Sequence, residues 1–178
     1  MFADKKGFVV LTLVVIVIGS VLYFGKYDLM TYDEETFITE MILHHEQAVN
    51  ASIIMLNSKN LEVKSLAEKI ILLQSAEIKT LDSWLNEWYN ETSYGRKAMN
   101  RKMNMPKLSY IPSKERDMAY LYGMIEHHEQ AIVMAQKVLK TSPREEIKNL
   151  AENIIVVQSE EILLMKKMIN DLEKSNER

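Results

Sequence analysis

The chain has 178 residues, 47% of them hydrophobic and 26% charged, with a net charge of -3, which is enough for one domain with a real core plus an appendage and too little for a second full domain. The charge is small and mixed along the chain, so there is no basic stripe of the kind a nucleic-acid binder needs to neutralise phosphates. No cysteine is present, which excludes a disulfide framework and a thiolate metal site and leaves Met sulfur and His nitrogen for any soft-metal chemistry.

Residues 8–24 form an apolar run behind Lys5 and Lys6, broken only by Thr12, Gly19 and Ser20. At ~1.5 Å per residue it reaches about 26 Å, the short end of a spanning helix. A buried core helix and a cleavable signal peptide are the rivals. The residues after the run, Val21 to Phe24, are large where a cleavage site needs small ones, which favours an uncleaved membrane anchor or uncleaved signal over residues 1–27. Lysines before the run and the acidic Asp28, Asp33, Glu34 and Glu35 after it put the N-terminus in the cytoplasm and the rest in the periplasm or outside.

Five glycines and three prolines are few for an all-β chain with many tight turns and fit long helices. Over residues 31–58 apolar positions recur at three and four through Phe37, Met41, His44, Ala48, Ala51 and Met55, which is helix periodicity. After a polar break at residues 57–60, a second helix runs over residues 61–90 with a stripe of Val63, Leu66, Ile70, Leu73, Glu77, Leu81, Trp84 and Trp88. Residues 92–112 hold Gly95, Pro106, Pro112 and a basic cluster and lack periodicity, so they are a linker. Ser113 is the expected N-cap of a third helix over residues 114–140, with the stripe Tyr120, Met124, His127, Ala131, Met134 and Val138. Ser142 and Pro143 are the expected N-cap and first residue of a fourth, with the stripe Ile147, Leu150, Ile154, Val157, Glu161, Leu164, Met168 and Leu172.

The chain repeats itself. Met41 to Ala48 reads Met-Ile-Leu-His-His-Glu-Gln-Ala and Met124 to Ala131 reads Met-Ile-Glu-His-His-Glu-Gln-Ala, each followed by Gln-Ser-x-Glu-Ile at residues 74–78 and 158–162. All four histidines lie in the two copies. The expectation is an all-α, ferritin-like four-helix bundle over residues 31–175, built from two helix hairpins at residues 31–91 and 113–175 and preceded by a transmembrane helix. The linker is long enough for a crossover along the bundle as well as for simple up-and-down order.

In an antiparallel hairpin, residues equidistant from the turn are level. That puts His44 level with Gln74, Met41 with Glu77, His127 with Gln158 and Met124 with Glu161. His45 and His128 point about 100 degrees away from their neighbours and face an adjacent helix or a second site. Burying two His and two carboxylates without a cation costs several kcal/mol unless each is paired, so metal ligation is one reading and direct pairing of His44 and His127 with Glu77 and Glu161 the other. The candidate ligands are Met41, His44, His45, Met124, His127, His128, Glu77 and Glu161. Thioether with imidazole suits copper, Cu(I) above all. Iron fits less well, since di-iron bundles use four carboxylates and a Glu-x-x-His on each of two helices. Met99, Met103 and Met105 of the linker are a further thioether cluster.

The doubled Met-x-x-His-His-x-x-Ala, each copy followed by Gln-x-x-Glu-Ile, resembles the bacterial family catalogued as domain of unknown function 305 over about residues 37–172. The resemblance implies a ferritin-like bundle, exported or membrane-anchored, and in some members copper binding through Met and His. It carries onto Met41, His44, His45, Met124, His127 and His128, and its Met-Ala ending onto Met134 and Ala135. The first copy has Ala51 and Ser52 at that ending, with Met55 one turn further on. The expected function is a non-enzymatic, membrane-anchored copper-binding protein for storage, delivery or detoxification, its partners the metal ion, the membrane, and a second copy or a copper-handling protein. A ferritin-like metal-dependent oxidoreductase and a metal-free helical interaction module are the alternatives.

Overall fold

Asp33 and Asn60 start two helices by the same chemistry. In the computed structural model, which describes residues 32–91 and 107–176, Asp33 Oδ1 accepts the Thr36 N–H at 2.8 Å to open α1, Glu34–Met55. Asn60 Oδ1 accepts the N–H groups of Glu62 and Val63 at 2.9 and 3.2 Å to open α2, Leu61–Tyr89. Each cap satisfies donors that the first turn leaves free. The second helix stops where Asn90 turns left-handed at φ 54° and its N–H closes on Asn86 O at 3.0 Å, an αL end. A 3-10 turn, Leu108–Tyr110, leads into α3, Ser113–Val138, and α4 follows as Glu145–Asn176.

Two expected starts are corrected. Ser113 is the first helical residue and caps nothing, because the Pro112 carbonyl already accepts the Glu115 N–H at 2.9 Å. The fourth helix begins at Glu145, two residues past Pro143. Ser142 is taken up instead by a network that joins helix ends: its hydroxyl donates to the Glu34 carboxylate and accepts the Arg144 N–H at 3.2 Å. The Arg144 guanidinium pairs with Glu34 and lies 4.6 Å over the Trp88 ring. Burial alone would raise the Glu34 pKa. The hydrogen bonds from Ser142 and Arg144 and the guanidinium charge outweigh it, so the carboxyl is held below its usual range.

Two apolar clusters define the order of the helices. Phe37, Ile38 and Met41 of α1 gather with Leu81 and Leu85 of α2, Met134 and Val138 of α3, and Ile147 and Ile154 of α4. Ala48 and Met55 gather with Val63 and Ile70, Tyr120 and Met124, and Met165 and Met168. The start of α1 thus meets the ends of α2 and α3 and the start of α4. The first and fourth helices run one way and the second and third the other, so the hairpins are related by a crossover and not by up-and-down order. Leu108 sits in the Met55 cluster, at the opposite end of the bundle from Leu85. Among the described residues the structure is all-α, with no strand.

The stripes expected on α1 and α3 are buried throughout. On α2 and α4 they drift. Leu73 and Leu164 are exposed, while Gln74, Leu85, Gln158 and Met165 are buried in their place. The heptad spacing read from the sequence fits a supercoiled seam, whereas a straight helix turns every 3.6 residues and advances its buried face by about 20° per heptad. Among the described residues no helix is long and apolar enough to cross a membrane. The anchor expected over residues 8–24, and Met99, Met103 and Met105, lie outside those residues.

Candidate metal centre

The two apolar clusters are separated by a polar layer, and α1 and α3 meet there through their histidines. Both helices run antiparallel and carry His at the middle of the buried stripe, so His44 and His127 face each other with ring centroids 3.6 Å apart and planes tilted by 39°. They are 0% and 3% exposed. Neither nitrogen of either ring has a hydrogen-bond partner. Burial, first, and the neighbouring histidines, second, hold both in the neutral form: the His127 pKa is lowered to about 3 and that of His44 is lowered as well. Four imidazole nitrogens, two of them N–H donors and two lone-pair acceptors, are therefore enclosed without a hydrogen-bonding partner from the protein. An unmade hydrogen bond at a buried polar group costs about 1–3 kcal/mol.

His45 and His128 have partners. His45 Nε2 is 2.7 Å from Glu77 Oε2, and His128 Nε2 is 2.9 Å from Glu161 Oε2. The expected alternative, in which His44 and His127 pair with the two glutamates, is corrected by these bonds. The cause is the lean of helical side chains toward their own N-terminus. Glu77 starts about one turn beyond the level of His45, ~6 Å along the axis, and in an antiparallel pair both side chains lean into the gap between them. The same register in the second hairpin gives the second bond.

The carboxylates differ in their surroundings. Glu161 is 3% exposed and Lys69 Nζ stands 3.3 Å from its Oε1, whereas Glu77 is 18% exposed. The Glu161 pKa, which burial would raise, is lowered by the His128 hydrogen bond and by the charges of His128 and Lys69. Gln74 and Gln158 are each 3% exposed, with Gln74 Oε1 and Nε2 and Gln158 Oε1 unbonded.

Methionines flank the layer. Met41 and Met124 are fully buried, each one helical turn before its histidine, and they fall in opposite clusters. Met134 shares the cluster of Met41, and Met55 that of Met124. Ala51, which corresponds to Met134 in the repeat, lies in the same cluster as Met55. Ser52, where the motif has alanine in the second copy, bonds the Tyr120 hydroxyl at 2.8 Å. Among the described residues no three His, Asp or Glu side chains converge as a ready-made cage for an ion. What is assembled is an imidazole pair, with Met41 in one of the two apolar clusters and Met124 in the other. An open groove of 420 Å³ lies elsewhere, at the start of α1, lined by Tyr32, Asp33 and Glu35 among others.

Lys69 is the residue that reading the sequence missed. It lies on the outer face of α2 and acts across to α4, which periodicity does not show. The repeat itself carried a signal, since the position that corresponds to Lys69 in the second copy, 84 residues on, is Asn153.

The model of a family described as Domain of unknown function (DUF305) matches residues 34–169. No curated protein matches the chain. Among solved structures, CopM in the Cu(I)-bound form is 30% identical, over 77% of this chain and 95% of that one, with a TM-score of 0.69. CopM in the Cu(II)-bound form is 28% identical, over 78% and 98%, with a TM-score of 0.68. A DUF305 fragment from Deinococcus radiodurans is 29% identical, over 78% and 95%, with a TM-score of 0.69. The chain belongs to the DUF305 family.

Proposed function

We propose that this DUF305 protein is a membrane-anchored, extracytoplasmic copper-binding protein that serves storage, delivery or detoxification and is not an enzyme. The observation that carries the reading is the pair of buried, neutral, unpartnered imidazoles of His44 and His127. A fold that keeps four such nitrogens enclosed gains from an ion that satisfies them. Two imidazoles with nearby thioethers from Met41 and Met124 form a soft donor set of low coordination number, which suits Cu(I) and adds little for hard cations. Met134 and Met55 are further thioethers in the same two clusters. His45 and His128, oriented by Glu77 and Glu161, are outer partners that can become ligands when an ion displaces their bonds. The likeness to CopM, solved in Cu(I)- and Cu(II)-bound forms, supports the choice of metal. The ferritin-like oxidase reading lacks its four carboxylates, since the layer brings one glutamate from each hairpin and both are bonded to histidine.

The experiment is selective loading. The purified full chain in detergent, offered Cu(I), Fe(II) and Mn(II) in turn under reducing conditions and then desalted, should retain copper and release the other two. Equal retention of iron would turn the reading toward the oxidase.

A further inference from the structure

The four histidines and the two glutamates form one row of successive contacts. Glu77 bonds His45 at 2.7 Å, the His45 ring is 6.2 Å from that of His44, and His44 faces His127 at 3.6 Å. On the far side the His127 ring is 6.4 Å from that of His128, which bonds Glu161 at 2.9 Å. The repeat makes the row nearly symmetric, and Lys69 breaks the symmetry at one end.

At the Glu161 end, a carboxylate that is 3% exposed is covered by an ammonium group 3.3 Å away. At the Glu77 end, the carboxylate is 18% exposed, and among the described residues no lysine or arginine forms an ion pair with it. The position that would supply one by symmetry is Asn153, which is exposed, short and neutral. Among the described residues a cation approaching the two ends therefore meets different fields: at one a carboxylate bonded to His45 with no lysine or arginine ion-paired to it, and at the other a positive charge in front of a carboxylate already neutralised. Charges at the mouth of a low-dielectric channel set the local concentration of an approaching ion.

Resting on the copper-binding reading above, we infer that copper enters and leaves the His44–His127 pair through the Glu77 end alone, with Glu77 and His45 as the first donors it meets, while Lys69 seals the Glu161 end. The row is a path with one mouth. His45, with one nitrogen on Glu77 and the other unbonded, is placed to pass the ion inward. His128 makes the mirror-image bond to Glu161, behind the Lys69 ammonium group.

The test moves the seal. Asn153→Lys puts a lysine at the open end, and Lys69→Asn removes the one at the closed end. Both positions are on the outer surface, so the fold is retained. The full chain in detergent is mixed with Cu(I) as its cationic acetonitrile complex, quenched at timed intervals with a strong chelator, and its bound copper counted. The inference predicts that N153K loads at least ~10-fold more slowly at low salt, that the difference shrinks as ionic strength screens it, and that the final copper per chain is unchanged. Adding K69N to N153K should restore the wild-type rate, because the mouth has moved to the other end. N153K loading at the wild-type rate, or a double variant as slow as N153K, would overturn the single mouth. A lowered final copper count with an unchanged rate would also overturn it, and would leave the copper site itself standing. Wild-type protein that takes up no copper would sink both the site and the path.

Discussion

At the scale of single residues, the two kinds of histidine in this layer have opposite effects on the metal-free protein. His44 and His127 are buried with all four nitrogens unbonded, so replacing both by leucine, of similar volume, removes unmet polar groups. The metal-free H44L/H127L variant is expected to melt at or above the wild-type temperature. His128→Leu instead leaves Glu161, 3% exposed, without its main partner, and is expected to cost about 1–3 kcal/mol in a urea titration. A destabilised double variant would show that His44 and His127 are held by bonds of their own. The same pair makes stability fall in acid. In the unfolded chain both imidazoles titrate near 6.5, whereas in the folded one burial and the neighbouring histidines hold His127 at about 3 and lower His44 too. Below pH 6.5 the unfolded state binds more protons, so the stabilisation is complete above that value and is lost as the pH falls toward 3. Each histidine contributes a slope of about 1.4 kcal/mol per pH unit in that interval. Urea midpoints of the metal-free protein between pH 7 and 5 should show this steep decline in wild type and a shallower one in H44L/H127L.

At the scale of helices, the sequence made some features plain and hid others for identifiable reasons. The stripes of α1 and α3 were legible because these helices are buried on a broad face, so each predicted position, from Phe37 to Met55 and from Tyr120 to Val138, is in the core. The stripes of α2 and α4 were legible in part: Val63, Leu66, Ile70, Leu81, Ile147, Ile154, Glu161 and Met168 are buried as expected. With one side facing solvent, a heptad count and a 3.6-residue count diverge, and Leu73 and Leu164 ended outside. The alternative pairing named the wrong histidine of each doublet: Glu77 and Glu161 start about a turn beyond the level of His45 and His128, and the lean of each side chain toward its own N-terminus closes that gap. Helix starts depended on chemistry beyond the local chain: Ser142 was matched to a cap pattern, and Glu34, far away in sequence, claimed its hydroxyl. Asn60 shows a cap that local sequence does determine. Asn60→Ala leaves the N–H groups of Glu62 and Val63 without their acceptor and should cost ~1 kcal/mol, read as a lower urea midpoint with an unchanged slope. No loss of stability would mean that the hairpin turn is held by Ser58 and its 2.8 Å bond to Asp117.

At the scale of the whole molecule, a doubled hairpin becomes a bundle in which the two copies of one motif meet at the centre and the polar layer spans from side to side. The repeat gives the layer its near symmetry, and a few residues that differ between the copies, Lys69 against Asn153 and Ala51 against Met134, give it a direction. The location of the bundle rests on residues 8–24. If they form an uncleaved anchor with Lys5 and Lys6 inside, protease added to intact spheroplasts should remove the bundle and leave a small membrane fragment, whereas recovery of a soluble mature protein beginning after residue 20 would rule the anchor out. The central claim is that the imidazole pair holds copper. It is tested most directly by titrating Cu(I), against a competing chromophoric chelator, into the metal-free full chain and into H44L/H127L, with circular dichroism to verify that both are folded. The account predicts that the wild type withdraws copper from the chelator and that the folded double variant does not; a double variant that takes the same copper with the same affinity would contradict it.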